Sequence, residues 1–392
     1  MKPQRLLLIS KQFWPLSGET ELLAAAFARQ LEGVVESIEV VTWRMIRQWP
    51  ERFPLGNCNV VRLPQNQKSH WASANLGYYG RNRWHRSLQR WLGGQVNRFD
   101  AAIVFEHHED ILAPTLIACR AGLPVVSRIL FNQASGLSRL TARDWKGLER
   151  QSVSFVTPDH RLLMDPICAP DGPLRGTQLV SDGVTAVENV NDQATSRTIL
   201  SSVHPIFQLS QNAMLAVSGC DLTYESNVFS LVRAWRRVAA EHKSARLWLI
   251  GSGRNAPELF QRICDLDLQH SVLLTGNFDN VEEVLAAADA YIMPGPADPT
   301  SWYSEIAGQL GLTIIRHRNS ASPSCTSQAS HNMVFDDDSR TIDLVINRWA
   351  GSMASETRVT RQNAPREKFS PRLVSNMVAD YLDLLQRQQL SR

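Results

Sequence analysis

The chain has 392 residues, of which 41 are Lys or Arg and 38 are Asp or Glu, so its net charge is only +3. Hydrophobic residues make up 43% and charged residues 20%, an ordinary globular composition that excludes a disordered or collagen-like chain. The near-neutral balance argues against a wholesale nucleic-acid binder, and the length predicts two domains.

Only six residues are Lys, against 35 Arg, and there are 11 Trp. Arg and Trp together suit planar, stacked or bidentate contacts, and a GC-rich genome would also favour Arg over Lys. The six cysteines (Cys58, Cys119, Cys168, Cys220, Cys264 and Cys325) are scattered, and none forms a C-x-x-C. That pattern fits reduced thiols in a cytoplasmic protein, neither a disulfide framework nor a metal site. The opening apolar run, Leu6 to Ile9, is too short for a signal peptide, and no run approaches the length of a membrane span.

Strands and helices alternate along the chain. Arg5–Ser10 reads as a strand buried on both faces, followed by a Pro/Gly loop over Lys11–Gly18. Glu19–Glu32 places Leu23, Phe27 and Leu31 at a spacing of four and carries Glu19 and Glu21 in its first turn, which predicts an amphipathic helix. Ser37–Trp43 is the next strand. A strand–helix–strand of this length is a βαβ unit, so the sheet is expected to be parallel. The grammar continues with strands at Asn59–Leu63, Asp100–Phe105, Pro124–Leu130 and Val153–Thr157, and helices at Asp110–Ala121 and Asp159–Met164. Gln178–Val180 then leads into a turn at Ser181–Val184.

The polar stretch Glu188–Arg197 has the composition of an interdomain linker. After it the alternation restarts. Strands are expected at Met214–Val217, Arg246–Ile250, Val272–Leu274, Asp289–Met293 and Leu312–Arg316. Helices are expected at Asn227–Ala240, Pro257–Leu266, Val281–Ala288, Trp302–Leu310 and Pro371–Arg387. The expected fold is α/β with two Rossmann-like, doubly wound domains. One covers 1–187 and the other 198–370, with 371–392 a closing helix that crosses back to the first. Doubly wound domains bind ligands at the carboxyl ends of their strands, so a cleft between two facing domains is the expected site.

Several strings resemble the GT-B glycosyltransferases, in particular the retaining group 1, or family 4, branch. Arg246–Gly253 (RLWLIGSG) resembles the family's LxIxGxG, and Val272–Asn277 (VLLTGN) its VxFxG. Val281–Pro294 resembles its helix and proline-ended strand, and Ile306–Ile315 (IAGQLGLTII) its EAMAxGxPVI. Phe13–Glu21 (FWPLSGETE) resembles FxPxxGGxE, and Ser181–Val184 (SDGV) resembles NGV. The resemblance covers nearly the whole chain. It implies sugar transfer from a nucleotide-sugar, held as co-substrate, to a glycan or lipid-linked acceptor in polysaccharide synthesis, with no metal and no other cofactor. The family holds the donor diphosphate with a glycine loop, helix N-termini and basic side chains, a sound use of free N–H groups and the helix dipole.

Carried over residue by residue, the resemblance places Gly18, Gly251, Asp298, Ser301, Glu305 and Arg316 at the donor. It also departs from the family's pattern. Glu19 stands where the second glycine of the pair is expected. A carboxylate about 4 Å from a diphosphate would be repelled by about 4 kcal/mol at an effective dielectric of 20. Ser218–Glu225 (SGCDLTYE) lacks the family's Arg and Lys, leaving Arg316, Arg318 and Arg254 as substitutes. In the family's Glu-x7-Glu pair, Asp298 takes the first place and Ile306 the second, with Glu305 beside it. Leu130 stands where a catalytic histidine is expected, and the nearest imidazoles are His107 and His108, after the neighbouring strand. The alternative is a catalytically silent relative that binds a partner.

Ser69–Gly93 combines Trp71, Tyr78, Tyr79, Trp84 and Trp91 with Arg81, Arg83, Arg86 and Arg90. On a helix, Trp84, Leu88 and Trp91 share one face. Two readings are open: a basic, aromatic helix lying on the inner face of a membrane, or a helix packing its tryptophans on the sheet with arginines outside. No nucleic-acid partner is expected.

Overall fold

A computed structural model describes residues 3–15, 18–64, 78–105, 112–130, 153–172, 174–187, 191–210, 212–219, 222–224, 226–278, 280–295, 302–318, 332–336, 339–355 and 372–390, with backbone alone at 78–82, 339, 340 and 355. The chain divides into two compact units, Met1–Thr185 with Arg372–Arg392, and Ala186–Pro371.

In the first unit, β1 (Arg5–Ile9), β2 (Ser37–Trp43), β3 (Arg52–Leu55), β4 (Cys58–Leu63), β5 (Ala101–Phe105), β6 (Val125–Arg128), β7 (Val153–Thr157) and β8 (Gln178–Leu179) form one sheet. Its order is β3-β4-β2-β1-β5-β6-β7-β8, parallel except for the β3–β4 hairpin at one edge. That hairpin was not expected from the sequence. Its turn needs Gly56, at φ +59, where a Cβ would collide with the Glu32 carboxylate that accepts from Asn57 N–H at 2.8 Å.

The two faces of the sheet are covered by different helices. Leu7, Ile9, Val41, Val61, Ala102 and Val104 share a core with α2 (Tyr78–Gly93) and α3 (Leu112–Arg120). The alternate residues face the other way, as the two-residue strand period requires. There α1 (Glu19–Gln30) meets the chain's last helix, Val374–Leu390. Phe27 of α1, Phe105 of β5 and Tyr381 of the last helix meet as an aromatic trio with centroids 5.1, 5.1 and 5.9 Å apart. A short helix, α4 (His160–Leu163), follows β7, capped by Asp159 accepting from Arg161 N–H.

In the second unit, β9 (Met214–Gly219), β10 (Ala245–Ile250), β11 (Val272–Gly276), β12 (Ala290–Met293), β13 (Thr313–His317) and β14 (Asn332–Phe335) form a wholly parallel sheet in the order β11-β10-β9-β12-β13-β14. Counted from β9 this is 3-2-1-4-5-6, the Rossmann order. Helices α6 (Val228–Glu241), α7 (Ala256–Asp265) and α10 (Ser339–Ser355) share a core with Ala216, Leu247, Leu249, Ala290 and Ile292. Helices α5 (Gln193–Val203), α8 (Val281–Ala286) and α9 (Trp302–Gln309) complete the unit, and the last helix, Val374–Leu390, is α11. Strand β14 and helix α10 were not anticipated.

The supposed linker differs from expectation. Within Glu188–Arg197, Asp192 caps α5 by accepting from Thr195 N–H at 2.9 Å. Arg197 and Gln193 then reach into the unit: Arg197 pairs with the buried Asp289 at 2.9 Å, and Gln193 donates to the same carboxylate. Polar composition there marks a cap and two anchors, not a tether.

Tyr381 is fully buried, and its hydroxyl has no hydrogen-bond partner among the described residues. Burial pushes that phenol above its ordinary range. Tyr381→Phe should therefore leave stability unchanged or raise it by up to about 1 kcal/mol, while Tyr381→Ala should cost about 3–5 kcal/mol. Urea unfolding of the two variants checks this. A marked loss in Tyr381→Phe would contradict it.

Candidate functional site

Open α/β sheets bind ligands outside the carboxyl ends of their strands, where the strand order reverses. In the second unit that point lies between β9 and β12. The loops after β9, β10 and β12 interlock there through glycines. At Gly219 a Cβ would collide with the Tyr303 ring, and Tyr291 Oη donates to the Gly219 carbonyl at 3.1 Å. At Gly253 a Cβ would meet the Leu222 backbone, and at Gly295 the Ser226 carbonyl oxygen. Asn227, at φ +59, donates from Nδ2 to the Pro294 carbonyl at 2.9 Å. Gly251 has φ +134, and its N–H donates to the Gly276 carbonyl at 3.0 Å. A side chain at these positions would force the loops apart.

Helix α9 starts beside these loops and is buried through Gly308. Ile306 is fully buried, which suits a side chain turned into the core, and Glu305 keeps a carboxylate in the first turn at only 7% exposure. An acidic residue there is favoured by the helix dipole and can accept from hydroxyl donors. Arg316 is half-buried on β13, paired in register with Met293 and Val334. Arg254 is exposed in the turn after β10. Arg318 forms an exposed ion pair with Asp336, which fits an ordinary surface arginine. Asp298 and Ser301 lie outside the described residues, as do His107 and His108.

In the first unit the order reverses at β1 and β5. Gly18 is the N-cap of α1, and a Cβ there would collide with the carboxylate of Glu21, which is 4% exposed. Glu21, at the third helical position, thus folds back over the helix start, as in a capping box. The acid facing Gly18 is therefore Glu21, not the Glu19 on which the sequence comparison turned, and Glu19 is half-exposed. Leu130 is buried.

Helix α2 spends its apolar face on the sheet. Trp84, Leu88 and Leu92 are buried, with Trp84 edge-on to Trp43 at 5.8 Å. Trp91 packs 6.0 Å from Phe99. Arg83, Arg86 and Arg90 are exposed. A helix that buries its tryptophans in the core cannot also insert them into lipid, so the packing reading holds for these residues. Trp71 lies outside the described residues.

Among the described residues, no group of three or more His, Cys, Asp or Glu could hold a metal ion, and no helix is long and apolar enough to cross a membrane. Cys58, Cys119, Cys168 and Cys264 are free thiols.

Residues 212–341 match the family model described as glycosyl transferases group 1, which is 130 of the chain's 392 residues. No curated protein matches the sequence. Among solved structures, Alr3699/HepE of Anabaena in complex with UDP and glucose superposes with a TM-score of 0.65 at 13% identity, over 98% of this chain and 97% of that one. WaaG, a glycosyltransferase involved in lipopolysaccharide biosynthesis, gives 0.65 at 14% identity over 98% of each chain. The catalytic domain of starch synthase IV from Arabidopsis thaliana, bound to ADP and acarbose, gives 0.69 at 12% identity over 99% of each. The chain has the GT-B fold, two Rossmann-like domains in one polypeptide, and its second unit carries a group 1 glycosyl transferase domain.

Gly219→Ala should displace Tyr303 and unfold at lower denaturant, by about 1–3 kcal/mol for an overpacked buried contact. Tyr303→Ala in the same background makes room for the methyl. The double variant should lose less than the sum of the two single losses, and strict additivity would show that the two residues are not coupled.

Proposed function

We propose that the protein transfers a sugar from a nucleotide-sugar donor to a glycan or glycolipid acceptor, with the donor held by the second unit. The observation that carries this reading is the group 1 domain over 212–341, folded so that its glycine-knit loops and the buried Glu305 gather at the strand-order reversal. In this reading Glu305 accepts from ribose hydroxyls, and Asp298 and Ser301 are further donor-binding residues. Gly251 lets the backbone approach the diphosphate. Arg316 supplies positive charge. His107 and His108 take the acid–base role, since an imidazole is the side chain best poised to exchange a proton near neutral pH. No metal or further cofactor enters the scheme.

The acceptor side is proposed to work at the cytoplasmic face of a membrane. What supports this is α2, which turns Arg83, Arg86 and Arg90 outward while its tryptophans stay in the core. Docking would be electrostatic, each arginine near an anionic surface contributing about 1 kcal/mol. Arg83→Gln/Arg86→Gln/Arg90→Gln should abolish co-sedimentation with phosphatidylglycerol vesicles at low salt, and an unchanged bound fraction would remove the membrane from the scheme.

A second reading, a silent relative that binds a partner, is favoured by one feature: Ser218–Glu225 carries two carboxylates and no cation after β9. Calorimetric titration with UDP-glucose and ADP-glucose separates the two. Binding in the micromolar range, weakened by Glu305→Gln by a factor of about 10 for a lost charge-assisted hydrogen bond, is the expected result. No heat up to millimolar donor would overturn the donor site and leave the silent reading.

A further inference from the structure

The first unit holds a buried guanidinium with no carboxylate partner among the described residues. Arg62 sits one residue from the carboxyl end of β4, opposite Thr42 of β2, and is only 3% exposed. Its guanidinium lies 4.0 Å over the Phe53 ring and 4.7 Å from the Trp49 ring. It donates to two backbone carbonyls, Pro50 at 3.2 Å and Trp14 at 3.3 Å, and Nε has no partner. Burial and the positive charge of Arg44 both hold it below its ordinary range. No Asp or Glu occurs between Glu51 and Asp100, a span with eight Lys and Arg.

Arg44 follows β2 directly, its N–H donating to the Leu63 carbonyl at 3.1 Å. It is half-buried and pairs with Glu51 at 2.8 Å, but the Glu51 side chain is 66% exposed and its hold is that of a surface pair. Arg44 Nε is also buried without a partner. Among the described residues Arg44 therefore meets one solvent-facing carboxylate and the Arg62 side chain none. Buried charge left unanswered is costly, and ring faces and carbonyls answer it only in part.

We infer that Arg44 and Arg62, at the carboxyl edge of β2 and β4, form a binding site for an oxyanion group, a carboxylate or phosphate, carried on a sugar-sized ring. The ligand would take the place of the exposed Glu51 on the Arg44 fork, whose planar geometry suits two oxygens and whose Nη2 also donates to the Arg47 carbonyl at 2.5 Å. Arg62 adds charge that no carboxylate among the described residues cancels. Trp14, Trp49 and Phe53 are half-buried around the pair, with Trp14 and Phe53 rings 5.7 Å apart, and give a ring something flat to rest on. The site is on the strand edge where α/β sheets take ligands. It belongs to the first unit alone and does not depend on the donor reading above.

The test is calorimetry at fixed ionic strength with inorganic phosphate, glucuronate and, as a neutral control, glucose. The wild type should bind at least one of the two anions at millimolar concentration and glucose not at all, and the tighter anion identifies which oxyanion the site is built for. Arg44→Met keeps the Arg62 contacts to Trp14 and should weaken binding at least about tenfold. Arg62→Met should do the same if it folds. Glu51→Gln removes the competing carboxylate and should tighten binding several-fold, which a purely structural arginine pair would not produce. Equal affinity in wild type, Arg44→Met and Glu51→Gln, or no binding of either anion to the wild type at millimolar concentration, would overturn the proposal, whatever the outcome with nucleotide-sugars.

Discussion

One buried ion pair ties the ends of the first unit together. Arg128, the last residue of β6, donates from Nε to Asp182 at 2.8 Å, and the side chains are 4% and 9% exposed. Asp182 lies in the turn just before the chain leaves this unit. Two residues on, Val184 exchanges backbone bonds of 3.0 Å with Arg372 and Val374, where the chain returns. Gly183 has no room for a Cβ because the Leu373 backbone lies against it. The pair therefore fixes both the exit and the re-entry. Removing one member of such a pair typically costs about 3–5 kcal/mol, because the other is left buried and charged.

Everything that α11 contributes follows from that anchorage. Its Tyr381 completes the trio with Phe27 and Phe105, and its Gln388 donates to the Val125 carbonyl at 3.0 Å and to Ser154. Strands β5, β6 and β7 thus keep a covered face by borrowing a helix from the far end of the sequence. Parallel sheets need both faces buried, and α1 alone is too short to cover this one. The contrast with Arg62 is instructive. Two arginines at carboxyl ends of strands in one sheet are equally buried, yet only Arg128 has an acid.

The parallel architecture was legible because buried strands such as Leu6–Ile9 and Ala101–Phe105 are unbroken apolar runs, and helices such as α6 show a clear one-sided pattern. What escaped was local. The hairpin strand Arg52–Leu55 carries Arg52 and Pro54, both exposed, so no apolar run marks it. Helix α5 hid because its buried positions, Ser196 and Leu200, are few, and its anchors Gln193 and Arg197 are polar. At the candidate site, Gly251 and Glu305 stood out by their strings. Gly219, Tyr303 and Asn227 did not, because their roles come from contacts across 84 or 67 residues of sequence that no short pattern records. The aromatic helix α2 shows the same limit: an amphipathic stripe states that one face will be covered, not by what.

The helix starts set the charge requirements of the two units apart. In α1 the positive pole already has its anion, since Glu21 lies over Gly18 and is buried there. A diphosphate approaching that point would meet a carboxylate, a repulsion of about 4 kcal/mol at 4 Å and an effective dielectric of 20. In the second unit, Asn227 precedes α6 but turns its side chain to Pro294 and forms no cap, so the first N–H groups of α6 are not taken up by it. Glu305 lies in the first turn of α9. Gly219, Gly251, Arg254 and Arg316 lie towards the same carboxyl edge of the sheet as the start of α6, where backbone N–H groups and the helix dipole suit an anionic group. Charge therefore sets the two helix starts apart: α1 carries a buried carboxylate over its N-cap, and the side chain that precedes α6 is turned away from it.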